Sequence, residues 1–347
     1  MKHVAIDLGR PNSVLCEVSG DGRKLTRRFR LDRGNLERYF GERAPSRVLI
    51  ESGTESEWVA RYLEGLKHEV VVADPNYAGM YGERSRRVKT DNRDADALLE
   101  ANRTGVFRRA HRRSEGQRGV ISLLRVRGSL VRTRTQWINV VRAVARGQGY
   151  RIRSGAAETF EERLLEVQLH LPAELRKLAQ VLVGLMAGLN EQIKGLDREI
   201  GAVGKRDPRV RLLQTAPMVG PLTATAFVAL VDDVSRFEKA HKLESYIGLI
   251  PREWSSSEKR LRLGITKRGD SFVRWLLVEA SWSIMTSRRP DTFELRRWAQ
   301  NIAGRRKRKV AVVALARRLA GILYAMLRDN KPFDPTRIGQ NTRTKIA

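Results

Sequence analysis

The chain has 347 residues, of which 67 are Lys or Arg and 39 are Asp or Glu, so its formal net charge is +28. Such a surplus repels itself unless a polyanion neutralises it, which points to nucleic acid and, more weakly, to an anionic membrane. Hydrophobic residues make up 41% of the chain, and its length predicts two or three domains.

Other features of the composition exclude whole classes of protein. The sequence has no run of about 20 apolar residues, which argues against a membrane span, and Met1-Lys2-His3 leads into too few apolar residues for a signal peptide. Cys16 is the only cysteine, which excludes a disulfide framework and a cysteine-rich zinc site. We therefore expect a cytoplasmic protein. Any metal site in it would be built from carboxylates, whose hard oxygen ligands favour Mg²⁺ or Mn²⁺.

Strand and helix patterns alternate through the first third of the chain. Short apolar runs predict strands at 4–6, 47–50 and 70–72, a hairpin-like pattern covers 14–31, and helical spacing covers 56–66. Strands separated by a helix predict an α/β sheet.

Four acidic residues stand where this sheet would bring side chains together. Asp7 and Glu51 end two predicted strands, and Asp91 and Asp94 lie three residues apart on one face of a predicted helix. Each has a simpler interpretation as a turn residue or a partner of the helix dipole. Together, on the strand–strand–helix layout of an RNase H-like domain, they favour a site for two divalent cations about 3.5–4 Å apart.

The middle of the chain is strongly basic and helical. Residues 101–153 contain fourteen Arg and one acidic residue, Glu115, and apolar residues recur there at helical spacing. We expect Arg125, Arg132 and Arg134 to contact phosphates; the alternative is a solvated helix face. Apolar residues then recur every three or four positions over 178–200, which predicts a long helix or coiled-coil arm.

The last third is mostly helical, with helices predicted at 222–230, 271–286 and 309–327 and a loop at 248–269. The loop contains three consecutive serines, 255–257. Basic residues that could offset phosphate charge follow them: Lys259, Arg260, Arg262 and Lys267. A serine hydroxyl can attack phosphorus when it is deprotonated and the charge is neutralised, although a plain contact to the DNA backbone is the alternative.

In combination, these segments resemble the DEDD, RuvC-like transposases of the one-ten family of insertion sequences. The resemblance rests on Asp7, Glu51, the Lys-Thr-Asp-x-x-Asp-Ala motif at 89–95, and the serine cluster. It continues through segments 216–224, 246–251 and 264–270 and the basic helix 305–328. It covers nearly the whole chain in the right order.

The resemblance implies a fold of three regions. Residues 1–105 would form an α/β RNase H-like (RuvC-like) domain, and residues 106–205 a long basic, helical or coiled-coil region. Residues 206–347 would form a mainly α C-terminal transposase domain with the serine loop.

The resemblance also implies a chemistry. Members of this family are DNA recombinases in which a serine becomes covalently linked to DNA and four DEDD carboxylates bind Mg²⁺. The corresponding carboxylates here are Asp7, Glu51, Asp91 and Asp94. A structured guide RNA directs them, and dimers pair into tetramers with a composite active site. Counting from Pro251 gives Ser256 as the nucleophile, with Ser257 where the family has glycine; Ser255 remains an alternative.

The sequence therefore predicts a Mg²⁺-dependent DNA transposase that is cytoplasmic and associated with the nucleoid when bound to DNA. One alternative is a RuvC-like nuclease that hydrolyses branched DNA, which would need no serine. A second is a non-catalytic nucleic-acid-binding protein, which would need no metal.

Overall fold

The computed structural model describes residues 2–77, 91–168, 170–256 and 259–337. Within these ranges, the side chains of residues 91, 168, 253–256 and 259–263 lie outside the description. The chain forms two compact units, Met1–Arg113 and Ser114–Ala347. The sequence predicts three regions. In the structure, the helices of the predicted middle region pack against helices of the predicted C-terminal region, and both belong to the second unit.

The first unit is built on a five-stranded mixed sheet with the strand order β3-β2-β1-β4-β5. Strands β1, β4 and β5 are parallel, and β2 and β3 are antiparallel to their neighbours. The strands are β1 (Lys2–Asp7), β2 (Asn12–Val18), β3 (Lys24–Arg30), β4 (Ser46–Glu51) and β5 (Glu69–Ala73). The helices of this unit are α1 (Arg33–Phe40), α2 (Ser56–Gly65) and α3 (Asp91–Thr104).

Helices cover both faces of this sheet. Alternate residues of β1 point to opposite faces, so Val4 and Ile6 join one apolar core, which includes Leu36 of α1 and Leu63 of α2. Ala5 joins the other core, which includes Leu98 of α3. A strand that is buried on both faces has a continuous apolar sequence, as β1 does. The sheet with helices on both faces confirms the α/β interpretation of this region, and it is consistent with an RNase H-like domain.

The second unit is mainly helical. Its helices are α4 (Glu115–Gly147), α5 (Phe160–Gln168), α6 (Ala173–Arg206), α7 (Pro208–Leu213), α8 (Pro221–Val231), α9 (Ala240–Ile247), α10 (Ser271–Thr286), α11 (Phe293–Arg305) and α12 (Arg308–Asp329). Its one described sheet is a hairpin of β6 (Pro251–Ser256) and β7 (Lys259–Ile265).

Two helices of more than thirty residues, α4 and α6, pack antiparallel. Arg127 pairs with Asp197, while further along α4 Arg134 bonds to Asn190. The long helix predicted over 178–200 is therefore present, and its coiled-coil character stays a prediction.

The buried face of α6 differs in part from the predicted one. Ile193 and Ile200 are buried as expected, whereas Leu178 and Leu185 are 61% and 54% exposed. Ala179, Val183 and Met186 occupy the core in their place, because that row faces Ile138 and Val141 of α4 and Phe160 of α5.

The core of the second unit contains α8, α10 and α12. Helix α12 is long and apolar enough to cross a membrane by length and composition, and half of its apolar window is buried within the protein. Its Leu315, Leu319 and Leu323 are fully buried in the core. Arg317 and Arg318 interrupt its apolar sequence. These contacts make α12 a core helix of this unit.

Candidate functional site

Two of the predicted carboxylates end neighbouring strands. Asp7 is the last residue of β1 and Glu51 the last residue of β4. The strands are parallel and in register, with Ile6 opposite Ile50. The next pair along is therefore Asp7 and Glu51, on strands about 4.8 Å apart. Both side chains are half-buried.

Helix α3 carries the third described carboxylate. Asp94, Leu98 and Asn102 recur every fourth residue and are 6%, 0% and 1% exposed, so this row faces the sheet. The Asn102 side-chain amide donates to the carbonyl oxygens of Val4 and Arg47, at 2.8 and 3.0 Å. These bonds anchor the last turn of α3 near the beginnings of β1 and β4.

The direction of α3 follows from a second contact. The Cys16 thiol, which lies opposite Ala5, donates to Asp96 Oδ1 at 3.1 Å. From Asn102 back to Asp96 the helix thus passes from the level of Val4 towards that of Ala5. The N-terminal end of α3, with Asp94, is directed towards the strand ends that carry Asp7 and Glu51.

Asp91 is the first residue of α3, one turn before Asp94, and its side chain lies outside the described part of the structure. Among the described side chains, no group of three or more His, Cys, Asp or Glu is arranged to hold a metal ion. The donor chemistry nevertheless suits a hard divalent cation, because the candidate set consists of carboxylate oxygens. Two half-buried carboxylates side by side repel each other, and a cation would relieve that repulsion.

The serine segment is a hairpin, so the predicted loop over 248–269 is wrong for most of its length. Strands β6 and β7 pair antiparallel, with Ser255 opposite Arg260 and Ser256 opposite Lys259. Only residues 257 and 258 separate the strands, and a two-residue connection is the commonest way to join a hairpin. Ser255 and Ser256 are the last residues of β6, while Ser257 lies outside the described residues.

Backbone hydrogen bonds hold the base of this hairpin. Thr266 N–H donates to the carbonyl oxygen of Ile250 at 2.9 Å, and Lys267 N–H donates to that of Gly248 at 3.1 Å. Lys267 is exposed and has a left-handed backbone conformation, with φ +56°. Of the basic residues predicted near the serines, it is the one whose side chain is described; those of Lys259, Arg260 and Arg262 are not.

Two of the three α4 arginines predicted to contact phosphates are exposed to solvent. Arg125 and Arg132 lie two helical turns apart and are exposed. Arg134 is only 8% exposed, and it donates to Glu158 Oε1 and Asn190 Oδ1, both at 2.8 Å. The prediction that Arg134 contacts phosphate is wrong, because this guanidinium is enclosed between helices.

Comparison with known proteins shows which family this chain resembles. A transposase family profile for DEDD enzymes matches residues 4–147, and the profile of the transposase IS116/IS110/IS902 family matches residues 210–295. The two matches cover the strand-end carboxylates and the serine hairpin, respectively.

Individual bacterial relatives extend the similarity along the chain. A probable family 20 transposase of Pseudomonas aeruginosa is 30% identical, covering 94% of this chain and 97% of its own. The transposase for insertion sequence element IS1111A of Coxiella burnetii is 28% identical, covering 94% and 90%. A pilin gene-inverting protein of Moraxella lacunata is 30% identical over 42% of this chain and 46% of its own. The profile matches and these identities together show that the chain belongs to the IS116/IS110/IS902 family of insertion-sequence transposases.

Proposed function

We propose that this transposase cleaves and rejoins DNA strands in a Mg²⁺-dependent reaction with Ser256 as the covalent nucleophile. The observation that carries the proposal is the register of β1 with β4, which brings Asp7 and Glu51 side by side at two strand ends. The half-buried pair, with Asp94 directed towards the same edge, is an arrangement suited to a cation.

The carboxylates of Asp7, Glu51, Asp91 and Asp94 would hold Mg²⁺, with Mn²⁺ as an alternative. A divalent cation in this position would offset the negative charge of a DNA phosphate and its transition state. Asp94 is the acid that α3 supplies from a buried position, so its placement depends on the packing of that helix.

The serine step balances without an external energy source. Ser256 Oγ loses its proton and forms a bond to a backbone phosphorus, and the bond from that phosphorus to a deoxyribose oxygen breaks. The freed deoxyribose hydroxyl takes up a proton. Because the phosphoserine ester conserves the bond, attack by another DNA hydroxyl rejoins the strand and releases the serine. The register supports this role, since both cross-strand partners of Ser255 and Ser256 are basic residues.

The direct test is to trap the protein–DNA adduct. Wild-type protein, Mg²⁺ and an element-end DNA should give an adduct that survives denaturation, and peptide mapping should find it on Ser256. Ser256→Ala should abolish the adduct while DNA binding remains, and Ser255→Ala is the matched control that should retain it. Cleavage by Ser256→Ala without any adduct would instead favour hydrolysis by a plain nuclease.

The carboxylate part has its own control. Asp7→Asn, Glu51→Gln and Asp94→Asn should each abolish cleavage, whereas Glu100→Gln on the same helix α3 should leave it unchanged. Glu100 is an exposed residue that pairs with Arg103 on the same helix. Normal cleavage by all three variants would contradict the proposed site, and cleavage unaffected by chelators would contradict the metal.

Guidance by an element-encoded structured RNA is also part of the proposal, since the family resemblance implies it and the +28 charge suits a polyanion. Sequencing RNA that copurifies with the transposase tests this, and ribonuclease treatment should abolish target selection. We place the reaction in the bacterial cytoplasm, on the nucleoid.

A homodimer that pairs into a tetramer completes the proposal. Its support is an exposed apolar row on α6, formed by Leu178, Val181 and Leu185, which are 54–62% exposed. Exposed apolar patches of this kind mark protein interfaces. Light scattering of Leu185→Glu should show a smaller assembly than wild type.

A further inference from the structure

An aromatic pair at the beginning of α10 is partly exposed to solvent. The Trp275 side chain is 47% exposed, although it lies in a helix that is otherwise a core element. One turn earlier, Phe272 stacks against it, with ring centroids 5.9 Å apart and ring planes 27° apart. The serine hairpin ends a few residues before this helix. The indole thus presents a supported flat surface to solvent.

Helix α4 supplies the opposite wall of a groove in front of this pair. A Cβ atom on Gly128 would lie 3.8 Å from the Phe272 ring, so the glycine lets α4 approach the ring closely. The groove has a volume of about 810 Å³. Its α4 wall combines apolar Val131 and Val140 with polar Gln136 and Asn139.

The charge around this groove is positive. Arg132 lines the groove, and Arg125 lies two turns before it on α4. Both are exposed, and neither has an ion pair or hydrogen bond with any residue that the structure describes. Arg127 also lines the groove, but it pairs with Asp197. Asp270, which directly precedes α10, accepts hydrogen bonds from the N–H groups of Phe272 and Val273 and thereby caps that helix.

We infer that this groove binds an unpaired base of a DNA strand, stacked on Trp275 and with its phosphate beside Arg132. Aromatic faces stack on any base, and neighbouring cations track the backbone, which is how proteins bind single strands without sequence preference. Gln136 and Asn139 offer donors and acceptors to a base edge. Only the choice of DNA as the ligand rests on the proposed function: a transposase that opens DNA strands exposes unpaired bases.

The test measures binding of a labelled oligothymidylate and of a duplex of equal length, in EDTA so that no cleavage occurs. Trp275→Ala should weaken single-strand binding by about 5- to 150-fold, the range for loss of one stacked base, and leave duplex binding within about twofold. Trp275→Phe should retain most of the affinity, because a ring remains. Phe293→Ala, which removes another half-exposed aromatic side chain of this unit, should change neither.

The salt dependence of single-strand binding distinguishes the loss of base stacking from the loss of a phosphate contact. Arg132→Gln should reduce the slope of log affinity against log salt by about 0.7, the value for one lost contact to a single strand, while Trp275→Ala should leave the slope unchanged. Both variants must melt like wild type for the comparison to count. Asp7→Asn should bind the oligothymidylate normally, so a failed cleavage reaction and a failed stacking site give different results.

Three outcomes would overturn the inference. Equal single-strand affinity for Trp275→Ala and wild type would remove the stacking site. A loss confined to an oligouridylate RNA would assign the groove to RNA instead. A change in the assembly state of Trp275→Ala with unchanged oligonucleotide binding would assign it to a protein contact.

Discussion

Gly248 and Gly269 bring the two ends of the β6–β7 segment into backbone contact. A Cβ atom on Gly248 would lie 1.9 Å from the carbonyl oxygen of Arg268, and one on Gly269 would lie 1.9 Å from that of Tyr246. Both residues have left-handed backbones, with φ of +79° and +83°. Because only glycine fits such positions without strain, this pair fixes where the serine hairpin begins and ends.

Gly248→Ala and Gly269→Ala should each destabilise the second unit by about 2–5 kcal/mol. This figure adds about 1–2 kcal/mol for a left-handed alanine to about 1–3 kcal/mol for the displaced backbone. Denaturant titration followed by tryptophan fluorescence measures the loss. Adduct formation at Ser256 should fall as well, because the hairpin would lose its fixed base.

Gly264→Ala is the matched control within the same hairpin. Its added Cβ atom would meet nothing within 4 Å, so its stability should stay within about 1 kcal/mol of wild type. Equal losses for Gly264→Ala and Gly248→Ala would contradict the close contact.

The neighbouring arginines of α4 should respond in opposite ways. Arg134→Gln should destabilise the protein by about 2–4 kcal/mol, because it leaves partners without a buried charged donor. It should not change the salt dependence of DNA binding. Arg132→Gln should leave stability within about 0.5 kcal/mol and lower the salt slope. Thermal melting and binding at several salt concentrations distinguish them, and a reduced slope for Arg134→Gln would restore the original prediction for that residue.

The sequence predicts the central strands well because their chemistry is unambiguous. β1 is flanked by strands and covered on both faces, so Val4, Ala5 and Ile6 must all be apolar. The strand ends follow directly, which is why Asp7 and Glu51 could be placed at one edge of the sheet. The approach of Asp94 depends on the Asn102 anchor, which periodicity does not reveal, although a polar residue at a buried helix position is a signal.

Other features depend on tertiary contacts that sequence patterns leave open. The serine hairpin is polar and lacks a glycine-containing turn, so it reads as a loop. Leu178 and Ala179 are both compatible with a buried face of α6, and packing against α4 selects Ala179. Arg134 could have been recognised, since it precedes Ile138 by four residues and therefore falls on the buried row. Trp275 gives no signal in the sequence, because tryptophan suits a core helix equally well.

The end of α2 offers a test of backbone geometry in the first unit. Lys67 is exposed and left-handed, with φ +68°, and the N–H of His68 donates to the carbonyl oxygen of Leu63 at 3.0 Å. This is a helix end that prefers glycine. Lys67→Gly should therefore stabilise the unit by about 1 kcal/mol through relief of the left-handed strain.

The matched change, at Gly65, replaces a glycine within the helix. Gly65 lies within α2, is exposed, and has open space for a Cβ atom. Gly65→Ala should stabilise by about 0.5–1 kcal/mol because alanine favours the helix. Calorimetry of both variants checks the boundary, and destabilisation by Lys67→Gly would show that α2 ends elsewhere.

Cys16 should be chemically inert in the folded protein. Its thiol is fully buried in β2, and burial together with the hydrogen bond to Asp96 raises its pKa to about 11 from an ordinary value of 9.0. Because the thiolate is the reactive form, a disulfide reagent at pH 8 should label Cys16 only in denaturant. Rapid labelling of the native protein would contradict this burial.

The same shift makes a prediction about pH. The unfolded thiol ionises above pH 9, whereas the folded thiol stays neutral until about pH 11. The unfolded state therefore binds fewer protons between these values, and stability falls as pH rises through this window. Cys16→Ala should remove that part of the decline, which denaturant titrations at pH 8 and pH 10 would measure.

Asn102 links the packing of α3 to the candidate metal site. Its amide bonds to the Val4 and Arg47 carbonyl oxygens are buried, so Asn102→Ala should destabilise the first unit by about 2–3 kcal/mol through the loss of two hydrogen bonds and a small cavity. Since the same helix directs Asp94 towards Asp7 and Glu51, the variant should also bind Mg²⁺ more weakly at temperatures where it remains folded. Melting curves with and without Mg²⁺ measure both effects. The stabilisation by Mg²⁺ should be smaller in Asn102→Ala than in wild type, because the stabilisation by a bound ligand decreases as its affinity decreases. Arg103→Ala, which changes an exposed neighbour on the same turn, should keep the full Mg²⁺ effect. An unchanged Mg²⁺ response in Asn102→Ala would separate the position of Asp94 from this anchor.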